Sequence, residues 1–137
     1  MDFLVTRKVA VLFCNHTYPD KVVDMNGDPV GHIEDAQQKT ALMDRFLRET
    51  LGFDIVKRYV NVDLDGLHTA MNELDAIEVE PWLADVDRKG TLLIFVYFMG
   101  YWGKTSGSQV FSVTGEKINL DQRLMKFSAR DHSIYGI

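Results

Sequence analysis

Apolar positions in this chain fall into short continuous runs and longer stripes, and the change of period between them predicts alternating strands and helices. Residues 8–15 (KVAVLFCN) form a nearly unbroken apolar run closed by a polar cluster, the pattern of a strand buried on both faces. Residues 16–32 carry Pro19, Asp20, Asn26-Gly27-Asp28-Pro29 and Gly31, which is the chemistry of a long loop with turns. Across residues 35–51 the spacing becomes helical. Ala36, Ala41, Leu42, Phe46 and Leu47 fall mainly on one inward stripe, with Lys39, Asp44, Arg45 and Glu49 opposite. Gly52 supplies a C-terminal stop.

Residues 53–60 predict a second strand with partial alternation. Asp63 is placed to cap a helix whose Leu64, Leu67, Met71 and Leu74 share a face. Residues 78–89 hold Pro81 and several acids and read as ending in a loop. Residues 91–98 (TLLIFVYF) are the most hydrophobic run and predict a central strand. Val110 to Val113 and Lys117-Ile118 flank Thr114-Gly115-Glu116, a small hairpin. Residues 121–128 predict a short helix with Leu120, Leu124 and Phe127 inward, and residues 132–137 begin a further strand.

This order implies a single α/β domain over residues 1–137: a three-layer open sheet, mostly parallel, with helices on both faces and a small β-hairpin. In such sheets ligands sit outside the carboxyl ends of the strands. That edge carries Asn15, His16, Gly100, Tyr101 and Trp102.

Length, at 137 residues, suits one domain that buries about two-thirds of its unfolded surface. The net charge of -5, with Lys and Arg dispersed, argues against a nucleic-acid partner. No run approaches the ~18 apolar residues of a membrane span. The first residues lack the basic-then-apolar order of a secretory signal. One cysteine, Cys14, excludes an internal disulfide, so an intracellular, by default cytoplasmic, setting is expected.

Four segments, in order, resemble the caspase-like family of cysteine peptidases, metacaspases and paracaspases included. Val11 to Tyr18 is similar to the family's first strand and its Asn-x-x-Tyr exit. Ala41 to Leu47, leading into Leu51-Gly52-Phe53-Asp54-Ile55-Val56, resembles its first helix and the lead-in to its second strand. Leu92 to Gly100 resembles the strand that runs to a catalytic Ser-Gly-His-Gly. Gly115 to Leu120 resembles a hairpin that precedes the next helix. The resemblance covers nearly the whole chain and implies the large-subunit topology of that family.

What the resemblance implies for chemistry is mostly absence. The family uses a Cys-His dyad, with histidine as general base and cysteine as nucleophile. Met99-Gly100-Tyr101-Trp102 occupies the quartet that holds the base, so Tyr101 stands where histidine is required. A neutral phenol is a poor proton acceptor. Trp102 replaces a glycine with an indole. The cysteine position lies past the fourth strand and is not reached by Ile137. The expectation is therefore a catalytically inactive, pseudo-peptidase domain that works as a structural or interaction subunit, with no cofactor. Its partners would be other protein subunits or a second copy, joined along an exposed sheet edge. Tyr101, Trp102, Ser133, Ile134, Tyr135 and Ile137 are the interface candidates. The alternative is the large-subunit part of a peptidase whose nucleophile lies on a missing segment.

Other residues read more plainly. Cys14 lies two positions from His16, a spacing that shares a strand face, but a small buried hydrophobe is the better reading. His16, His32, His68 and His132 lack metal-ligand spacing and default to the surface. Asp63-Leu64-Asp65 lacks the Gly and Glu of a calcium loop. Glu73, Asp75, Glu78, Glu80, Asp85 and Asp87 read as a solvated acidic face. Gly103-Lys104-Thr105 fails as a phosphate-binding loop because Phe98 stands where its first glycine belongs. A flavodoxin-like reading lacks a Gly-rich turn after the first strand.

Overall fold

The computed structural model describes residues 5–101 and 109–137. Its centre is β1, Val5–Cys14, an apolar strand with a neighbour on each side: β2, Ile55–Val60, and β3, Thr91–Met99. A short strand, β6 at Ile134–Gly136, extends the sheet to the order β2-β1-β3-β6, all parallel. The fold is thus α/β with a four-stranded parallel sheet. Two three-residue strands, β4 at Gln109–Phe111 and β5 at Lys117–Asn119, form the antiparallel hairpin, turning at Gly115 with φ 96°.

Alternation along β1 divides the interior in two. Val9, Val11 and Phe13 join Leu67 and Met71 of α2 (Leu64–Leu74) and Leu124 and Phe127 of α4 (Leu120–Ser128) in the larger cluster. Ala10 and Leu12 join Leu47 and Val56 in a smaller one, against which Met43, Phe53, Phe95 and Tyr97 pack. No residue from Val9 to Cys14 is more than 2% exposed. Each fully buried Leu or Phe contributes roughly 1.5–3 kcal/mol, so β1 carries a large share of the stability.

Two helix caps follow the sequence. Asp63 accepts from the Gly66 amide at 2.7 Å, and Asn119 from the Gln122 amide at 3.0 Å. The helix α1, Ala36–Arg45, continues into a π-helical turn at Phe46–Thr50, and Gly52 follows at φ 66°. Its buried stripe differs from the expected one. Ala36, Thr40 and Leu47 face inward, whereas Ala41, Leu42 and Phe46 are exposed. Thr40 can be buried because its hydroxyl donates to the Ala36 carbonyl at 2.8 Å, hiding the only polar group it has.

The segment 78–89 is helical as far as residue 84 and ends in turns over residues 85–90. A π-helical turn at Asp75–Val79 leads into α3, Glu80–Ala84, and Pro81 is tolerated because it sits in the first turn. Glu78 is 8% exposed and takes a two-pronged contact from Arg7, at 2.7 and 3.1 Å. It leaves the solvated acidic face and ties β1 to this turn. The hydrogen bond that Arg7 donates to Glu78 raises the Arg7 pKa.

β6 is anchored through side chains before it. The Trp82 indole donates to the Ser133 hydroxyl at 2.9 Å, and that hydroxyl donates to Asp131 at 2.6 Å. Asp131 also accepts from the Ser133 amide and from Arg88. The Ser133 hydroxyl, then its amide, then Arg88 hold the Asp131 carboxyl well below the usual carboxylate range. Its stabilising effect is fully present above the ordinary carboxyl pKa and is lost progressively as pH falls below it. Among the described residues no helix is long and apolar enough to cross a membrane.

Candidate functional site

β1 leaves the sheet at Asn15, which is fully buried although polar. Its backbone N–H donates to the Met99 carbonyl at 2.9 Å, holding the exits of β1 and β3 together. Its side-chain oxygen accepts from the Val62 amide at 2.9 Å, and its Nδ2 donates to the carbonyls of Val62 and Phe111, each at 3.3 Å. One amide therefore joins β1, the β2–α2 connection and the hairpin.

Tyr18 completes this junction. Its hydroxyl donates to the Phe111 carbonyl at 3.1 Å and accepts from the Tyr101 amide at 3.0 Å. Burial raises its pKa, so it remains a neutral phenol. Tyr101 is partly buried, with its ring 4.8 Å from that of Phe111 and its carbonyl accepting from the Phe111 amide at 3.1 Å. Lys117 places its ammonium 5.2 Å from the other aromatic centre, the Phe111 ring. The Asn15 and Tyr18 positions of the sequence thus act as buried polar clamps around the end of β3. We expect Tyr18→Phe to lower stability by about 1–3 kcal/mol, since it leaves the Tyr101 amide and the Phe111 carbonyl without this partner. A urea titration reads the change in midpoint.

Beside this junction lies a histidine cluster that the sequence does not announce. The Asn61 side-chain oxygen accepts from the backbone amides of His16 and Thr17, at 2.9 and 3.3 Å. Its Nδ2 must then face His16 Nε2, at 3.1 Å, and Gln37 Nε2 approaches the same nitrogen at 2.9 Å. His16 Nε2 is consequently an acceptor, and the ring proton sits on Nδ1, 2.8 Å from the Thr17 hydroxyl. The same hydroxyl lies 3.2 Å from His32 Nδ1, and the two imidazoles meet edge to face with centroids 5.3 Å apart. A recess of about 230 Å³ opens between His16, His32, Asp35 and Gln37. Asn61 and Asp35, at φ 51° and 64°, border this region in the left-handed conformation that Asn and Asp tolerate best.

The expected site residues separate on inspection. Cys14 is 1% exposed in β1, and both ring nitrogens of His16 are engaged by Thr17, Gln37 and Asn61. His68 accepts from Arg123 at 2.6 Å, and His132 is fully exposed. Among the described residues no three His, Cys, Asp or Glu side chains converge as a metal site. Ile134 is 3% exposed and belongs to the larger core, and Ser133 is held between Trp82 and Asp131. Ile134 is thus internal rather than a surface anchor, and Ser133 is half-buried with its hydroxyl engaged. Tyr135 and Ile137 are half exposed. Trp102 and Gly103-Lys104-Thr105 lie outside the described residues.

The clamp partners Val62 and Phe111 and the cluster members Gln37 and Asn61 have no local signature; each is chosen by its distance in space from β1. The chain matches no protein-family model, and comparison with curated proteins finds no match.

Proposed function

We propose that this chain is a catalytically inactive caspase-like domain that works by binding, as an intracellular structural or interaction subunit of a larger protein assembly. The observation that carries the reading is Tyr101. At the position where the resemblance calls for a general base, there is a phenol packed on Phe111, with its backbone amide bonded to Tyr18. Support for the finer fold comes from the strand order β2-β1-β3-β6 and from the two clusters flanking β1, which fit helices on both sheet faces.

A binding role is supported by the sheet edge. Among the described residues β6 is in register with Leu92, Leu93 and Ile94 of β3, and a further bond runs from the Val96 amide to the Ile137 carbonyl. β6 is the outermost strand of the described sheet, and such an edge is where a strand from another subunit adds.

The test uses the purified chain with fluorogenic peptides bearing a basic or an acidic residue before the scissile bond. We expect no turnover above background, and none gained or lost in Cys14→Ala. Hydrolysis that requires a reduced thiol and disappears in Cys14→Ala overturns the reading.

A further inference from the structure

Two large apolar side chains of α1 and its π-helical turn remain at the surface: Leu42 is 56% and Phe46 47% exposed. They stand four residues apart and so share one flank of the helix. The opposite flank faces β2, where Asp44 accepts from Arg58 and Arg48 donates to the Val56 carbonyl. Leu42 and Phe46 lie on the flank away from those contacts, on a helix packed over the sheet face where Phe95 and Tyr97 are only partly buried. The result is an apolar strip along the helix flank.

Charge along the strip is ordered. Asp35 and Glu49 balance Lys39 and Arg45, with Arg45 and Glu49 3.8 Å apart within the helix, so this surface is locally neutral in a chain of net charge -5. Two copies can approach here without the repulsion that the rest of the surface imposes. Lys39 precedes Leu42 by three positions, and Glu49 follows Phe46 by three. Both are exposed.

We propose that two copies of this chain pair through α1, antiparallel across a twofold axis near residue 44. Leu42 of each copy then covers Phe46 of the other. The same register brings Lys39 of each copy opposite Glu49 of the other, so the apolar and charged contacts are satisfied together. A twofold interface requires this self-complementarity, and the spacing along α1 supplies it. The inference rests on the proposed binding role and names a second copy as the partner. It is independent of peptidase activity, so hydrolysis of a peptide reporter and failure to dimerise are separate results.

Sedimentation equilibrium of the full chain, from micromolar to several hundred micromolar, tests the pairing. We expect a monomer–dimer equilibrium whose dissociation constant rises ~100-fold or more in Phe46→Glu, since that variant buries a charge in the centre of the contact. Lys39→Glu and Glu49→Lys each weaken it ~10-fold, and the double exchange restores it, because the pair is reversed but complementary. All three substitutions are at exposed positions, and circular dichroism confirms that each of the four variants is folded. A monomer throughout the range overturns the proposal. So does a dimer indifferent to Phe46→Glu, or a double exchange that fails to recover affinity.

Discussion

Asn15→Asp is expected to lower the unfolding free energy at neutral pH by about 3–5 kcal/mol, a large loss for a change of one heavy atom. The Asn15 Nδ2 donates to two carbonyls, those of Val62 and Phe111, inside a site with no exposed surface. A carboxylate puts an acceptor against two acceptors and adds a buried charge with no cation beside it. The variant relieves this by holding a proton, so its carboxyl pKa in the folded state lies above the ordinary value of ~3.9. The sign for stability follows. Below the unfolded pKa both states are protonated and the penalty is smallest, whereas it grows as pH rises toward the folded pKa. Asn15→Ala removes the same bonds without a titrating group, so its deficit should stay level with pH. Urea midpoints for the two variants at neutral and mildly acid pH check both statements; a flat profile for Asn15→Asp contradicts the argument.

Gly136→Ala is expected to cost about 1–3 kcal/mol and to loosen one corner of the molecule. A Cβ at this position would stand 2.5 Å from Leu124 Cγ and 2.9 Å from Cδ1. Cγ is not a free tip that can swing aside, because Leu124 is buried in the larger core. Either α4 or β6 must move. β6 holds by three register pairs with β3, so it is the element that yields. Hydrogen exchange should accelerate at the amides of Val96 and Ile137, which bond across this join, and remain slow in β1. Trimming the obstacle with Leu124→Ala in the same chain should make the two losses less than additive. Full additivity would place the strain elsewhere.

The parts of the fold that could be read from sequence are those where hydropathy and burial coincide. β1 and β3 are buried from both sides and announce themselves as apolar runs. Asp63 and the Thr114-Gly115-Glu116 turn follow from local chemistry, because a cap or turn is decided by its own residues. α1 shows where the method stops. Its inward stripe includes Thr40, whose polarity is concealed by a bond to Ala36, and leaves out Phe46, which hydropathy places inside. Glu78 reads as part of a solvated face until Arg7, far away in sequence, is brought beside it. At the carboxyl edge, Asn15 and Tyr18 were visible only as a resemblance. Their purpose lies in Val62, Tyr101 and Phe111, partners that only the folded chain brings near. The pairing of His16 and His32 likewise depends on the loop closing at Thr17, where a single antiparallel bridge joins Thr17 to His32.

The position of β1 also governs how this protein comes off the ribosome. β1 is synthesised before both of its neighbours, β2 and β3, and Val9 has to wait for Ile94 before its second neighbour exists. Until β3 emerges the nascent chain therefore carries a sticky segment with one edge open, the condition under which emerging polypeptides aggregate or recruit chaperones.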